Sequence, residues 1–297
     1  PVTLSVVVAT GTPAVSMSYL LSEDPQVYPG IDLEYEVVNS LDLLSARVLS
    51  GEADVIVATT DLGAKLKGRG VDIRYVGSAV WGMLYVVTTE DLDGWDDLRG
   101  RQVKMLGRGL APDILLRYLL ESNGLDPDSD VTLDYVQATT ELAPTFISGG
   151  STISIMPEPA LSMVLSRRDD ARIMFDLQEE WAAVSGLTDS YPQGSLFVSG
   201  EVADSHPEFV AAFAARYAES IELINANPVA AGERAATFLD TPAAPIIARS
   251  IPRANFRWVG ATDARDAVEE YLGVLLEFDP DSVGGSLPDD TFYFGGP

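Results

Sequence analysis

The sequence predicts an α/β protein of two lobes, each a mainly parallel β-sheet flanked by helices, with the second lobe inserted into the first. Three observations predict it. Runs such as "LSVVVAT" (4–10) and "ADVIVAT" (53–59) are apolar throughout, as strands buried on both faces are. Helical patterns separate these runs, and a β-α-β-α order implies parallel strands joined by crossovers. A second such series starts after residues 91–97 and ends near residue 193, where a strand of the first kind resumes.

The elements follow in order. After the strand at 4–10, "TPAVSMSYLLSE" reads as a helix with Thr12 as N-cap and Pro13 at its first position. "IDLEYEVV" (31–38) alternates as a strand, and "SLDLLSARVLSGE" (40–52) runs as a helix from Ser40 to Gly51. "ADVIVAT" is a strand, "TDLGAKLKGRG" a short helix, and 72–90 two further strands. The second series has strands at 102–106, 130–138, 151–157 and 171–177, with helices between them. "GSLFVSG" returns as a strand, and 206–228 is a long helix with apolar residues at helical spacing. The expected division is 1–89 plus 194–297 for the first lobe and 90–193 for the second. Two crossovers, at 88–90 and 191–193, make a hinge with a cleft between the lobes.

Composition narrows the function. The 297 residues hold 45 acidic and 19 basic side chains, a net charge of −26. Such a surface repels nucleic acid and anionic membranes, so neither is expected as a partner. There is no cysteine, which removes disulfides, thiol catalysis and zinc–thiolate sites. No P-loop, HExxH or GxSxG motif is present. No apolar run approaches the ~18–20 residues of a membrane span. The chain opens at Pro1 without a basic-then-apolar leader, and any targeting segment is expected to have been removed or never present.

Several segments carry a resemblance. "GSAVWGMLYVV", "LRGRQVKMLGRGLAPDILLRYLLESNGLDP", "IMPEPALSMVLSR", "HPEFVAAFAARYAESIELINANP" and "GGSLPDDTFYF" match, in this order, the substrate-binding proteins of ABC importers. The chain is similar to their thiamine-precursor, alkanesulfonate and nitrate branch, which has the type II periplasmic binding protein fold. The resemblance implies a monomeric, extracytoplasmic protein, free in the periplasm or held by a lipid anchor. It implies capture of a small polar organic solute, such as an aminopyrimidine or sulfonate, and delivery to an ABC permease. No cofactor, metal or catalytic residue is implied. The alternative is an enzyme on the same fold, resembling chorismate dehydratase or the yeast-type pyrimidine synthases. The latter rely on histidine and a cysteine-rich segment, whereas this chain has one histidine, His206, at a helix start.

Ligands of open α/β sheets sit outside the carboxyl ends of the strands. Those ends supply Gly11, Thr12, Pro13, Asn39, Ser40, Thr59, Thr60, Trp81, Gly82, Arg108, Gly109, Ala111 and Glu158 as candidates. Tyr191 and Gln193 join them on the return crossover. In "GRGLAPD" the glycines permit close approach to the free N–H groups of a helix start, or simply make a turn. Asp113 already serves the positive end of that helix, which disfavours a full anion there. Trp81 is either a stacking wall or core. Glu158 either accepts hydrogen bonds from ligand amino groups or caps the next helix. The threonines and Ser40 serve as ligand donors or as caps, and Asp61 caps its helix.

Overall fold

The computed structural model describes residues 2–23 and 25–297, so Pro1, the start of the chain, lies outside the described residues. Its strands are β1 (Val2–Ala9), β2 (Ile31–Val38), β3 (Val55–Thr59), β4 (Ile73–Trp81), β5 (Leu84–Thr88), β6 (Gln102–Leu106), β7 (Thr132–Val136), β8 (Ile153–Pro157), β9 (Arg172–Asp176), β10 (Pro192–Ser199) and β11 (Phe256–Gly260). They form a six-stranded sheet ordered β11-β4-β10-β3-β1-β2 and a five-stranded sheet ordered β7-β6-β8-β5-β9. Each sheet is the centre of one lobe.

Period-two burial explains the apolar strands. In β1, Val6 and Val8 pack into one core while Val7 and Ala9 pack into another. In β3, Val55 and Val57 take the first core, and Ile56 and Ala58 the second. A strand buried on both faces has no polar face to show in its sequence. The helix Pro207–Ala226 covers one face with Phe209, Phe213, Tyr217, Ile221 and Ile224, spaced three or four apart, and with Val210 beside them. The other core continues through the hinge aromatics into the second lobe, where Val103, Ile114 and Leu119 belong to it.

The sheets are mainly parallel, as expected: β1, β2, β3 and β4 share one direction in the first, and β6, β7, β8 and β9 in the second, with a few antiparallel strands among them. β1 runs parallel to β2 and β3, but β10 is antiparallel to both β3 and β4, and β11 is antiparallel to β4. In the second sheet β6 is parallel to β7 and β8, while β5 is antiparallel to β8 and β9. The reason lies in where strands enter. β4 leaves the first sheet at its carboxyl end and becomes β5 almost at once. A strand arriving from the other lobe enters at the edge where the local strands end, so it runs against them. β5 and β10 are these arrivals, and each is wedged between β-α strands of its host sheet.

The first crossover differs from expectation. The run 84–88 pairs with β8 and β9 of the second sheet, so the chain passes between lobes at 82–83 and not at 88–90. One unbroken apolar run, "AVWGMLYVV", serves two sheets, and hydrophobicity alone does not show the break. The return passage ends at Pro192, which pairs with Trp81. The two passages are therefore neighbours. A second correction concerns the first helix, Thr12–Ser16, whose N-cap is Gly11 at φ 85°. Thr12 is its first residue and turns its hydroxyl away from the helix, toward the other lobe.

Candidate functional site

The carboxyl ends of β1, β3 and β4 in one sheet and of β6, β8 and β9 in the other meet around the two passages. Hydrogen bonds lock the passages together. The Gly82 N–H donates to the Tyr191 carbonyl at 3.0 Å, and the Met83 N–H donates to Gln193 Oε1 at 3.0 Å. Asn255 donates from Nδ2 to the Gly82 carbonyl at 2.7 Å, from a backbone at φ 49° that asparagine tolerates better than most residues. A Cβ on Gly82 would stand 2.7 Å from the Gln178 Cβ and 3.1 Å from Tyr191, so glycine is required there.

A clasp joins the lobes beside this hinge. Thr12 Oγ1 donates to the Glu158 carbonyl at 2.7 Å. Arg253 Nε donates to Glu158 Oε1 at 2.6 Å, and its Nη2 to Ser162 Oγ at 2.7 Å. Tyr85 donates its hydroxyl to the Arg253 carbonyl at 2.7 Å. Glu158 is 2% exposed and also accepts from the Ser162 N–H and hydroxyl, at 3.0 Å each. Burial pushes its carboxyl up, while Arg253 and the Ser162 donors pull it back. Both roles foreseen for Glu158 thus resolve into a helix-start acceptor that binds an arginine of the opposite lobe.

The helix start at Ala111–Ser122 is filled by its own chain. Asp113, 1% exposed, accepts from the Gly109 N–H at 2.8 Å, from Arg117 Nε at 3.0 Å and from the Tyr135 hydroxyl at 2.8 Å. The Leu110 N–H donates to the Gly107 carbonyl at 3.3 Å. Gly109 keeps φ 78°, and a Cβ there would come 3.6 Å from Asp279 Oδ2 of the first lobe. The donors expected to be free for a ligand at 107–112 are largely used, and Ala111 is half-buried against the core. Arg108 points outward with its side chain 72% exposed, its nearest acid Asp128 at 3.9 Å.

Other candidates separate in the same way. Trp81 is core, at 3% exposed, with Nε1 donating to the Arg257 carbonyl at 2.8 Å. The Arg257 guanidinium lies 4.6 Å from its ring centroid, so the indole face is covered and no open stacking wall exists. Asn39 and Ser40 are exposed, and Ser40 caps its helix by accepting from the Leu43 N–H. Thr60 is buried and shares a hydrogen bond with Ser195 at 2.7 Å, in a chain continuing to Ser78 and Tyr75. Pro13 is buried in the first helix. Gly11 and Thr59 remain at strand ends, and a Cβ on Gly11 would meet nothing within 4 Å.

Beside the hinge the candidate Tyr191 packs in the core among residues that the sequence reading did not select. Tyr191 is fully buried, stacks on Tyr271 at 5.6 Å between ring centroids, and meets Trp181 edge-on at 5.7 Å. Loss of hydration raises the Tyr191 and Tyr271 hydroxyls well above their ordinary value. Asp61 keeps some accessible surface but is crowded by protein, and that loss of hydration raises its carboxyl despite help from Thr59 and nearby backbone amides. Asp176 is raised for the same reason, with Glu179 and Glu180 adding to the effect. Arg253, Asn255, Tyr85, Asp176 and Tyr271 come from loops, strands and a helix far apart in sequence. The one local signal was Asn255, a residue type suited to positive φ. Among the described residues, no group of three or more His, Asp and Glu side chains is arranged to hold a metal ion.

Two α/β lobes joined by two adjacent passages define a type II periplasmic binding protein-like fold. The chain belongs to the NMT1/THI5-like family, whose pattern matches residues 28–231. No curated protein matches it in sequence. Among solved structures, an ABC transporter protein from Parabacteroides distasonis superposes with a TM-score of 0.86 at 24% identity, over 99% of both chains. The periplasmic aliphatic sulphonate-binding protein of Escherichia coli gives 0.81 at 16% identity, over 100% of this chain and 93% of that one. The periplasmic nitrate-binding protein of Synechocystis gives 0.67 at 13% identity, over 95% and 84%.

Proposed function

We propose that this is an extracytoplasmic solute-binding protein, monomeric, which captures a small polar organic solute between its lobes and delivers it to the permease of an ABC importer. The observation that carries the reading is the clasp. Thr12 and Arg253 of the first lobe bind Glu158 of the second, next to a hinge of two neighbouring passages. Such a pair of lobes opens by bending at 82–83 and 191, and closes around what lies between them. The lobe boundary is accordingly set at these passages. Gly11, Thr59, Gly82, Tyr191 and Gln193 are the proposed neighbours of the solute from the original candidates. Structures named for sulphonate and nitrate binding share the fold, which supports the class of activity and leaves an aminopyrimidine or sulfonate as solute types.

The enzyme reading is weaker on chemical grounds. A buried carboxylate such as Glu158 would have to serve it as base, and both oxygens of Glu158 are engaged by Ser162 and Arg253. Among the described residues, no helix is long and apolar enough to cross a membrane. The test is mass spectrometry of small molecules released when the purified protein is denatured. A polar solute in near-stoichiometric amount, unchanged after prolonged incubation with fresh protein, is the expected result. Conversion of that solute into another compound would move the protein to the enzyme class.

A further inference from the structure

The two faces of the molecule join the lobes in different ways. Strand side chains alternate between faces, so Val7, Ala9 and Val86 mark one face of the sheets, and Val6, Val8, Tyr85 and Val87 the other. On the first face a single core runs through both lobes. The helix Ala261–Phe278 of the first lobe packs on the helix Ala111–Ser122 of the second. Tyr271 lies 6.2 Å from Trp181 and 5.6 Å from Tyr191 between ring centroids, and Trp181 lies 5.6 Å from Tyr118. Thr188 of the second lobe also donates its hydroxyl to Glu270 of the first.

On the second face each lobe keeps its own core. Val6, Val8, Val15 and Ile251 belong to one, and Tyr85, Met156, Leu161 and Val164 to the other. Among the described residues, no buried hydrophobic side chain of either core comes from the opposite lobe. What joins them is polar: Thr12 and Arg253 bond to Glu158, Arg253 to Ser162, and Tyr85 to the Arg253 carbonyl. Pulling a packed core apart returns apolar area to water, at a cost that grows with the area. Hydrogen-bonding groups pulled apart exchange their partners for water, and the net cost is small. The two passages are neighbours in the sheet, so the line through them crosses the strands, and bending about it widens one face.

Resting on the proposed solute-binding role, we infer that the lobes part on one face only. They pivot on the shared core beside the helix Ala261–Phe278, and the seam of Thr12, Glu158, Ser162 and Arg253 is the mouth through which the solute passes. Arg253 is its latch: the side-chain bonds to Glu158 and Ser162 must break before the mouth widens. Opening exposes a carboxylate, a guanidinium and two hydroxyls together, the first groups that an entering solute meets.

Two pairs of spin labels test it in the full chain, which has no cysteine of its own. Ala243→Cys with Ser166→Cys spans the mouth, and Asp266→Cys with Glu121→Cys spans the shared core, all four at exposed positions. Double electron–electron resonance is read on protein stripped of solute, with Arg253 kept and with Arg253→Gln. The variant is expected to shift the mouth pair to longer distances, while the other pair superposes on the parent's distribution. Thr12→Val, which removes the bond to the Glu158 carbonyl, is expected to shift the mouth pair the same way by less, and it decides if Arg253→Gln fails to fold. An equal shift of both pairs overturns the inference, and so does a mouth pair that neither variant moves. A bismaleimide matched to each measured separation then joins each pair in turn, before purified, unstripped protein is dialysed. The solute released on denaturation is expected to remain in protein joined across the mouth and to be lost from protein joined across the shared core. Equal amounts in both overturn the mouth while leaving solute binding intact. No solute in any sample, undialysed protein included, overturns solute binding and the role of the mouth, and the label distances then decide the pivot alone.

Discussion

Asp113 binds three donors at once while nearly completely buried. Asp113→Ala leaves Arg117 without its buried partner and is expected to cost about 3 kcal/mol in denaturant unfolding. A loss below about 1 kcal/mol would contradict the role assigned to it. Trp81→Ala removes core volume and is expected to destabilise the fold by about 3–5 kcal/mol. For Asp61 the sign of the pH effect follows from its raised pKa. The folded chain holds this proton more tightly than the unfolded chain, so Asp61 favours folding at low pH. That contribution is lost as pH rises from the unfolded value of about 4 through the higher folded one. Asp61→Asn should therefore gain Tm over the parent from about pH 4 to about pH 7, and a constant difference would contradict this. The glycine-rich stretch at 107–112 was visible in the sequence as a special turn. What fills it was not, because Tyr135 and Arg117 converge on Asp113 only in three dimensions.

Among the elements, β1 and β3 were legible as short apolar runs, and the helix Pro207–Ala226 by the helical period of its buried residues. β4 and β5 were not separable, since each is buried on both faces and only two residues part them. The clasp was half legible. "MPEP" marked Glu158, but nothing local to "IPRANF" announced that Arg253 reaches it. Arg253→Gln is expected to destabilise the closed arrangement by about 1–3 kcal/mol, because a carboxylate at 2% exposure loses its counter-charge. Tm measured with and without the released solute separates the effects on fold and on closure. A change confined to the solute-free protein would argue against the clasp. Gly82→Ala is expected to cost more than any exposed substitution, because its Cβ meets Gln178 at 2.7 Å.

For the whole molecule, a net charge of −26 opposes compaction at low ionic strength. Tm is expected to rise between about 10 mM and about 500 mM salt as self-repulsion is screened. A flat or falling Tm would show that surface ion pairs such as Arg265–Glu269 outweigh the excess charge. The two-lobed plan was readable from the interrupted β-α series, while the direction of the wedged strands follows from where they enter.

Closure of the lobes around a solute is the central claim, and the absence of cysteine makes it directly measurable. Asn39→Cys and Arg108→Cys place spin labels at exposed strand ends, one on each lobe, without competing thiols. Their separation, read by double electron–electron resonance, is predicted to be broad in the stripped protein. On addition of the solute recovered by denaturation, it should narrow to one shorter distance. Identical distributions with and without that solute, at saturating concentration, would contradict the account.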